Sequence, residues 1–238
     1  MTMKGAPAME LDGIIFDKDG TLFEFGTTWE AWAMAFLNRV SGGDEKRAAA
    51  LGARVDFDYE NQRFAPESIV IAGTPDEVAQ ALLPGLPGYD LARLIEVLNE
   101  EAAQAPQAEA VPLAPLLDRL RGAGLKLGVA TNDAHAPALA HLGAAAVRDR
   151  FDFIAGFDSG HGGKPGPGQL NAFLKQTGLA AARVAMVGDS LHDLEAGRRA
   201  GMRRIGVLTG LASADDLARL AEVVLPDIGH IPRLIGLG

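Results

Sequence analysis

The sequence predicts an α/β protein, a parallel sheet core flanked by helices and interrupted early by an α-helical insert. Three observations carry this. Short runs apolar on both faces recur after the first hundred residues, helical stretches alternate with them, and a strand-poor block separates the first run from the rest. Runs apolar on both faces belong to parallel sheets covered on two sides.

The first strand is expected over residues 11–16, ending at Asp17. The second spans 125–130 and ends at Thr131, and a third spans 153–157. The fourth, 184–187, ends at Gly188-Asp189. A fifth covers 205–208 and a short sixth 223–225. Helices are expected between them over 113–121, 136–142, 167–177 and 191–200, with Gly178 and Gly201 where helix C-caps belong. The block over 24–107 reads as four helices, 28–40, 44–51, 75–83 and 89–104. Thr74-Pro75-Asp76-Glu77 there has the form of an N-cap followed by proline and acids in the first turn. Residues 1–23 and 108–238 are thus expected to form the core, and 24–107 a separate helical cap.

Bulk properties exclude several function classes. Apolar residues make up 48% of the 238, enough for a sizeable core. There is no cysteine, hence no disulfide framework or thiolate metal site, which fits a cytoplasmic location. No apolar run reaches the roughly 18 residues of a membrane helix, and Met1 to Glu10 has no apolar stretch resembling a secretory signal. The formal charge of −9 disfavours nucleic acid and anionic lipid. The basic cluster Arg198, Arg199, Arg203 and Arg204 reads as a solvated helix end. The expected assembly is a monomer or homodimer.

Ligands of open parallel sheets bind beyond the carboxyl ends of the strands. The unusual polar residues are expected there: Asp17 and Asp19 after strand one, Thr131 and Asn132 after strand two, and Asp189 and Asp193 after strand four. Lys164 lies in a Gly- and Pro-rich loop before a helix. A carboxylate such as Asp17 can attack phosphorus and split one displacement into two easier ones. A second acid, Asp19, can protonate the leaving oxygen and then deprotonate water. Gly20 permits the tight turn between them. Clustered carboxylates repel, by about 4 kcal/mol at 4 Å and an effective dielectric near 20. A hard divalent cation relieves this, and oxygen ligands favour Mg²⁺. Lys164, Thr131 and backbone N–H groups near Asn132 offer donors to phosphate oxygens.

Each feature has a bland counterpart. Thr131-Asn132-Asp133 can simply cap a helix, Lys164 can be a solvated loop residue, and Asp189 and Asp193 can mark an exposed helix edge. Their joint occurrence, in order and at strand ends, favours chemistry. The five histidines show no zinc-ligand spacing and read as surface or structural, with His192 inside the acidic motif. Trp29 and Trp32, at i and i+3, read as core packing rather than substrate stacking.

Asp17-Lys18-Asp19-Gly20-Thr21-Leu22, Ala130-Thr131-Asn132, Gly163-Lys164-Pro165 and Gly188-Asp189-Ser190-Leu191-His192-Asp193 follow one another in the chain. In these four motifs it resembles the haloacid dehalogenase superfamily, in its phosphoglycolate phosphatase-like branch. The resemblance implies a Rossmann-like core and hydrolysis of a small phosphorylated metabolite, phosphoglycolate-like or a sugar phosphate. It implies Asp17 as nucleophile and metal ligand, and Asp19 as acid and base with its carbonyl on Mg²⁺. Thr131, Asn132 and Lys164 would hold phosphate, and Asp189 and Asp193 would bind the metal. Residues 18–26 would be a turn and flap that gates the site. Alternatives are a phosphomutase and a silent binding protein on the same fold. Arg54, Asn61 and Arg63 in the cap are candidate partners for a substrate carboxylate.

Overall fold

The computed structural model describes residues 8–65 and 67–237. In chain order its main elements are β1 (Gly13–Phe16), α1 (Phe25–Ser41), α2 (Glu45–Gly52), β2 (Phe57–Asp58), β3 (Arg63–Phe64), α3 (Pro75–Leu82) and α4 (Leu91–Gln104). There follow α5 (Leu113–Gly122), β4 (Lys126–Ala130), α6 (His135–Ala144), β5 (Phe153–Ala155), α7 (Gly168–Thr177) and β6 (Val184–Gly188). The chain ends with α8 (Leu191–Arg199), β7 (Arg203–Val207), α9 (Ala214–Leu217), β8 (Val223–Leu225) and α10 (Ile231–Leu234).

Successive side chains of a strand face opposite sides, and β1 shows what that does here. Ile14 and Phe16 join one hydrophobic cluster, with Leu117 and Leu120 of α5, Leu142 of α6 and Ile231 of α10. Ile15 joins another, with Leu170 and Phe173 of α7 and Ala196 of α8. All four β1 residues are buried, so the strand must lie mid-sheet with helices on both faces. The sheet runs β5-β4-β1-β6-β7-β8, parallel throughout. β1 pairs with β4 on one side and β6 on the other, Phe16 standing opposite Val129 and Val187. The connectivity reverses beside β1, placing a switch point beyond its carboxyl end.

The insert builds its own core. Trp32, Phe36, Leu37, Leu82, Leu94, Val97 and Leu98 pack together from α1, α3 and α4. Thr74 closes a capping box with Glu77 at the start of α3, as its sequence predicts. Asp44 and Asp90 cap α2 and α4. The polar stretch after α2 contains a hairpin, β2 with β3, that a purely helical reading of the cap misses. Two-residue strands carry too little alternation to register in a sequence pattern. Elsewhere β5 ends at Ala155 rather than at 157, and β7 begins at Arg203 rather than at 205. The two connections to the insert run side by side, Glu24 N–H donating to Ala108 O (2.9 Å) and Ala110 N–H to Leu22 O (2.9 Å).

Arg198 and Arg199 pair with Glu195, and Arg203 and Arg204 with Glu222, so each arginine of the basic cluster is engaged by a local carboxylate. No helix among the described residues is long and apolar enough to cross a membrane. The segment expected to lack a secretory signal falls largely on residues 1–7, outside the described residues.

Leu94 is fully buried in the cap core. Leu94→Ala is expected to destabilise the protein by about 2–5 kcal/mol. Urea unfolding followed by far-ultraviolet circular dichroism measures this, and an unchanged transition would refute the packing described.

Candidate active site

Asp17 follows the last residue of β1, and its N–H donates to Val187 O (2.8 Å), extending the sheet by one bond. The chain then turns sharply, with Leu22 and Phe23 N–H donating to Lys18 O (2.9 and 3.0 Å). Gly20 sits at φ +76°, and a Cβ there would lie 2.5 Å from Asp189 Cγ. Only glycine meets both demands. Gly210 likewise leaves space that a Cβ would take from the Asp189 carboxylate. Thr21 Oγ1 donates to Asp189 Oδ1 (3.3 Å). The stretch expected to be a flap is anchored at this end, because Leu22 and Phe23 are fully buried.

Asp189 follows β6, and Asp193 lies one turn into α8. Ser190 caps α8, and Asp193 closes the capping box through Oδ2. Its Oδ1 is left to accept from Lys164 Nζ (2.6 Å). Lys164 Nζ also donates to Asp17 Oδ1 (2.5 Å). Asp17, Asp189 and Asp193 each present a carboxylate oxygen, and the three oxygens lie within 4.8 Å of one another. Asp189 and Asp193 are buried, 6% and 1% exposed, and Lys164 is 6% exposed, so neither the exposed-edge nor the solvated-loop reading survives.

Burial drives the Asp17 pKa up to about 7, against the pull of Lys164 and with the push of Asp193 and Asp19. Burial, then the charges of Asp17 and Asp193, push Asp189 well above the usual carboxylate range. A buried set of oxygens whose ionisation is opposed in this way suits a hard divalent cation, and the donors contain no sulfur or imidazole.

Thr131 and Asn132 follow β4, beside β1. The Asn132 side chain acts as a clasp: Oδ1 accepts from Lys164 N–H (2.7 Å), and Nδ2 donates to Lys164 O (2.9 Å) and to Ala72 O of the cap (2.8 Å). Gln169, fully buried, donates from Nε2 to Thr131 O (3.0 Å) and to Gly162 O (3.1 Å). It ties the Thr131 loop to the lysine loop. The sequence reading missed Gln169, which carries no local signal beyond its position in the helix after Lys164.

A second buried cluster lies beside the first. Lys18, fully buried, has Nζ 2.7 Å from Asp19 Oδ1, 3.2 Å from Asp133 Oδ2 and 2.9 Å from His141 Nδ1. Burial opposes its charge, but Asp19 and Asp133 outweigh this and keep its pKa raised. His141 Nε2 lies 2.6 Å from Ala102 O on α4. A carbonyl only accepts, so Nε2 carries the proton and Nδ1 accepts from Lys18. A core motif thereby reaches the cap through one neutral imidazole.

The aspartates face a cavity of about 680 Å³, counting the space open to solvent. Asp17, Asp19, Thr131, Asn132, Lys164, Asp189 and Asp193 all line it on the core side. Trp29 and Trp32 line the opposite wall. Trp32 is 4% exposed and donates from Nε1 to Leu98 O (3.2 Å), so core packing describes it. Trp29 is half-buried, with its ring 5.6 Å from Lys18 Nζ. His192 is exposed at the rim. Arg54, Asn61 and Arg63 do not reach the cavity. Arg54 Nε donates to Ala81 O (3.0 Å), Asn61 bonds to Asp58 in the hairpin turn, and Arg63 is exposed on β3. The hairpin carries Asn61 and Arg63 in its turn and on β3, and Arg54, in the turn before it, is held by the Ala81 carbonyl.

The sequence profile of the haloacid dehalogenase-like hydrolases matches residues 11–201. The chain belongs to this family. It is 31% identical to "Probable phosphatase IndB" of Dickeya dadantii over 221 residues, 90% of this chain and 88% of the relative. It is 24% identical to phosphoglycolate phosphatase of Escherichia coli over 243 aligned positions, 96% and 94% of the two chains. Among solved structures, CbbY from Rhodobacter sphaeroides in complex with phosphate superposes with a TM-score of 0.65 at 25% identity, covering 96% of each chain.

In this hydrolase, burial and then the Lys18 charge push the His141 pKa from 6.5 down to about 4. Below the unfolded value the unfolded chain binds a proton that the folded chain refuses, so stability falls as pH drops from 6.5 towards 4. The full loss is up to about 3 kcal/mol. His141→Asn removes this term. Urea unfolding of both proteins across that range is expected to show wild type losing ground to the variant; a constant difference would refute the neutral imidazole.

Proposed function

We propose that the protein is a Mg²⁺-dependent phosphohydrolase that cleaves a small phosphomonoester through an aspartyl-phosphate on Asp17. One observation carries the reading: at the tip of the central strand, Asp17 shares a buried pocket with Lys164, Asp189 and Asp193. The phosphatases among its relatives support the same class.

An Asp17 carboxylate oxygen forms a bond to phosphorus as the ester P–O bond breaks. Asp19, two residues on and lining the same cavity, supplies a proton to the leaving oxygen. Water then attacks phosphorus, Asp19 takes its proton, and the Asp17–phosphorus bond breaks to release inorganic phosphate. Lys164 and the Thr131 hydroxyl, with the Asn132 N–H, orient the phosphoryl oxygens. Asp17, Asp189, Asp193 and the Asp19 carbonyl would hold Mg²⁺, which when bound offsets carboxylate repulsion and the negative charge on phosphate. The cap covers the site and excludes bulk water. A glycolate-like or sugar leaving group would lie against the cap wall.

Asp17→Asn is expected to lower Mg²⁺-dependent phosphate release from p-nitrophenyl phosphate on the order of 10³-fold or more. Acid-quenched turnover followed by peptide mass spectrometry is expected to find phosphate on the Asp17 peptide of wild type. Wild-type activity in the variant, or turnover undiminished by chelation of divalent ions, would overturn the mechanism.

A further inference from the structure

Three buried side chains beside the reacting aspartates take no part in the steps above: Lys18, Asp133 and His141. Lys18 is fully buried and is not among the residues that line the cavity, so substrate does not touch it. Its ammonium nevertheless meets the proposed acid and base directly. Nζ lies 2.7 Å from each oxygen of the Asp19 carboxylate. Asp19 does line the cavity, its side chain 12% exposed. Whatever fixes Lys18 Nζ therefore fixes the oxygens that carry the proton.

An ammonium has three N–H donors on a flexible stem. Held by Asp19 alone, it would follow that carboxylate wherever it turned. Two further groups hold it here, His141 Nδ1 at 2.9 Å and Asp133 Oδ2 at 3.2 Å. Both are themselves pinned. Asp133 Oδ1 accepts from Ala134 N–H (2.7 Å), and His141 Nε2 donates to Ala102 O (2.6 Å). The bond to Ala102 sets the tautomer and leaves Nδ1 as an acceptor towards Lys18. A neutral imidazole suits this place, because it takes an N–H from Lys18 without adding a negative charge that would compete with Asp19 for the ammonium.

We propose that Lys18 and His141 are positioning residues: His141 anchors the Lys18 ammonium, and Lys18 holds the Asp19 carboxyl where it passes its proton to the leaving oxygen. This rests on the phosphohydrolase reading and concerns its first proton transfer, in which the ester oxygen gains the proton that Asp19 loses as the P–O bond breaks.

The holoenzyme, with saturating Mg²⁺, is assayed for kcat/KM on benzyl phosphate and on 2,4-dinitrophenyl phosphate. The benzyl alkoxide needs a proton to leave, whereas 2,4-dinitrophenolate leaves without one. kcat/KM covers the steps up to ester cleavage, so the later attack of water does not enter the comparison. Asp19→Asn is expected to lower the benzyl-to-dinitrophenyl ratio by about a hundredfold or more. His141→Leu removes the anchor and Lys18→Met the hold, and each is expected to lower that ratio by about tenfold. His141→Asn, which keeps an acceptor near the Nδ1 position, is expected to stand closer to wild type than His141→Leu. A merely structural role would depress both esters alike and leave the ratio fixed. A fixed or raised ratio in either folded variant would overturn the inference, as would His141→Asn falling as far as His141→Leu. In an Asp19→Asn background His141→Leu is expected to lower the ratio no further; a further fall would mean that it acts other than through Asp19 and would also overturn it. A fall in Asp19→Asn alone would leave the phosphohydrolase reading intact and remove only the positioning roles. No Mg²⁺-dependent turnover of either ester would overturn both.

Discussion

The rest of the site depends on Lys164 Nζ lodged between Asp17 and Asp193. Three buried carboxylates crowd together here, and burial and the neighbouring negative charges oppose the ionisation of Asp17 and Asp189. The lysine supplies fixed positive charge where the fold has brought negative charge together. It does so from a loop, so the loop must be held. Asn132 clasps its backbone on both sides and Gln169 ties it to the β4 end. Those hydrogen bonds turn a flexible lysine into a directed cation.

The arrangement also couples the site to the cap. The chain enters and leaves the insert by adjacent connections, and the insert has its own hydrophobic core. Polar contacts then cross the divide: Asn132 to Ala72 beside the lysine loop, and His141 to Ala102 beside Lys18. Each joins a cap carbonyl to a side chain that also bonds to a buried lysine, Lys164 in one case and Lys18 in the other. Around the cavity the core half contributes the aspartates and Lys164, while the cap lining is largely apolar and carries no charged side chain.

Much of the core was legible because its signals are local. Runs such as Ile14-Ile15-Phe16 are apolar on both faces, which only a central parallel strand accommodates. Thr74 with Glu77, and Gly178 at its left-handed φ, obey short-range rules of helix termini. The acidic and lysine motifs were legible as residue types at strand ends. Less legible were features that exist only across space. The β2–β3 hairpin is too short for periodicity, and neither Asn61 and Arg63, which it carries, nor Arg54, bound to Ala81 O, lines the cavity. Gln169 and His141 look like ordinary helical residues until the fold seats them against a loop and against Lys18.

The sequence by itself determined the chemistry available: a carboxylate two residues from a second acid, a glycine at the turn, and later aspartates and a lysine at strand ends. Backbone propensity and hydrophobic alternation place each of these at one end of one sheet. Only the tertiary structure decided which charges meet, because Asp17, Lys164 and Asp193 are far apart in the chain and their contact depends on strand order. It also decided the character of the opposing wall. Which side chains of α1 and α4 line the cavity with the aspartates is set by how the cap packs on the core.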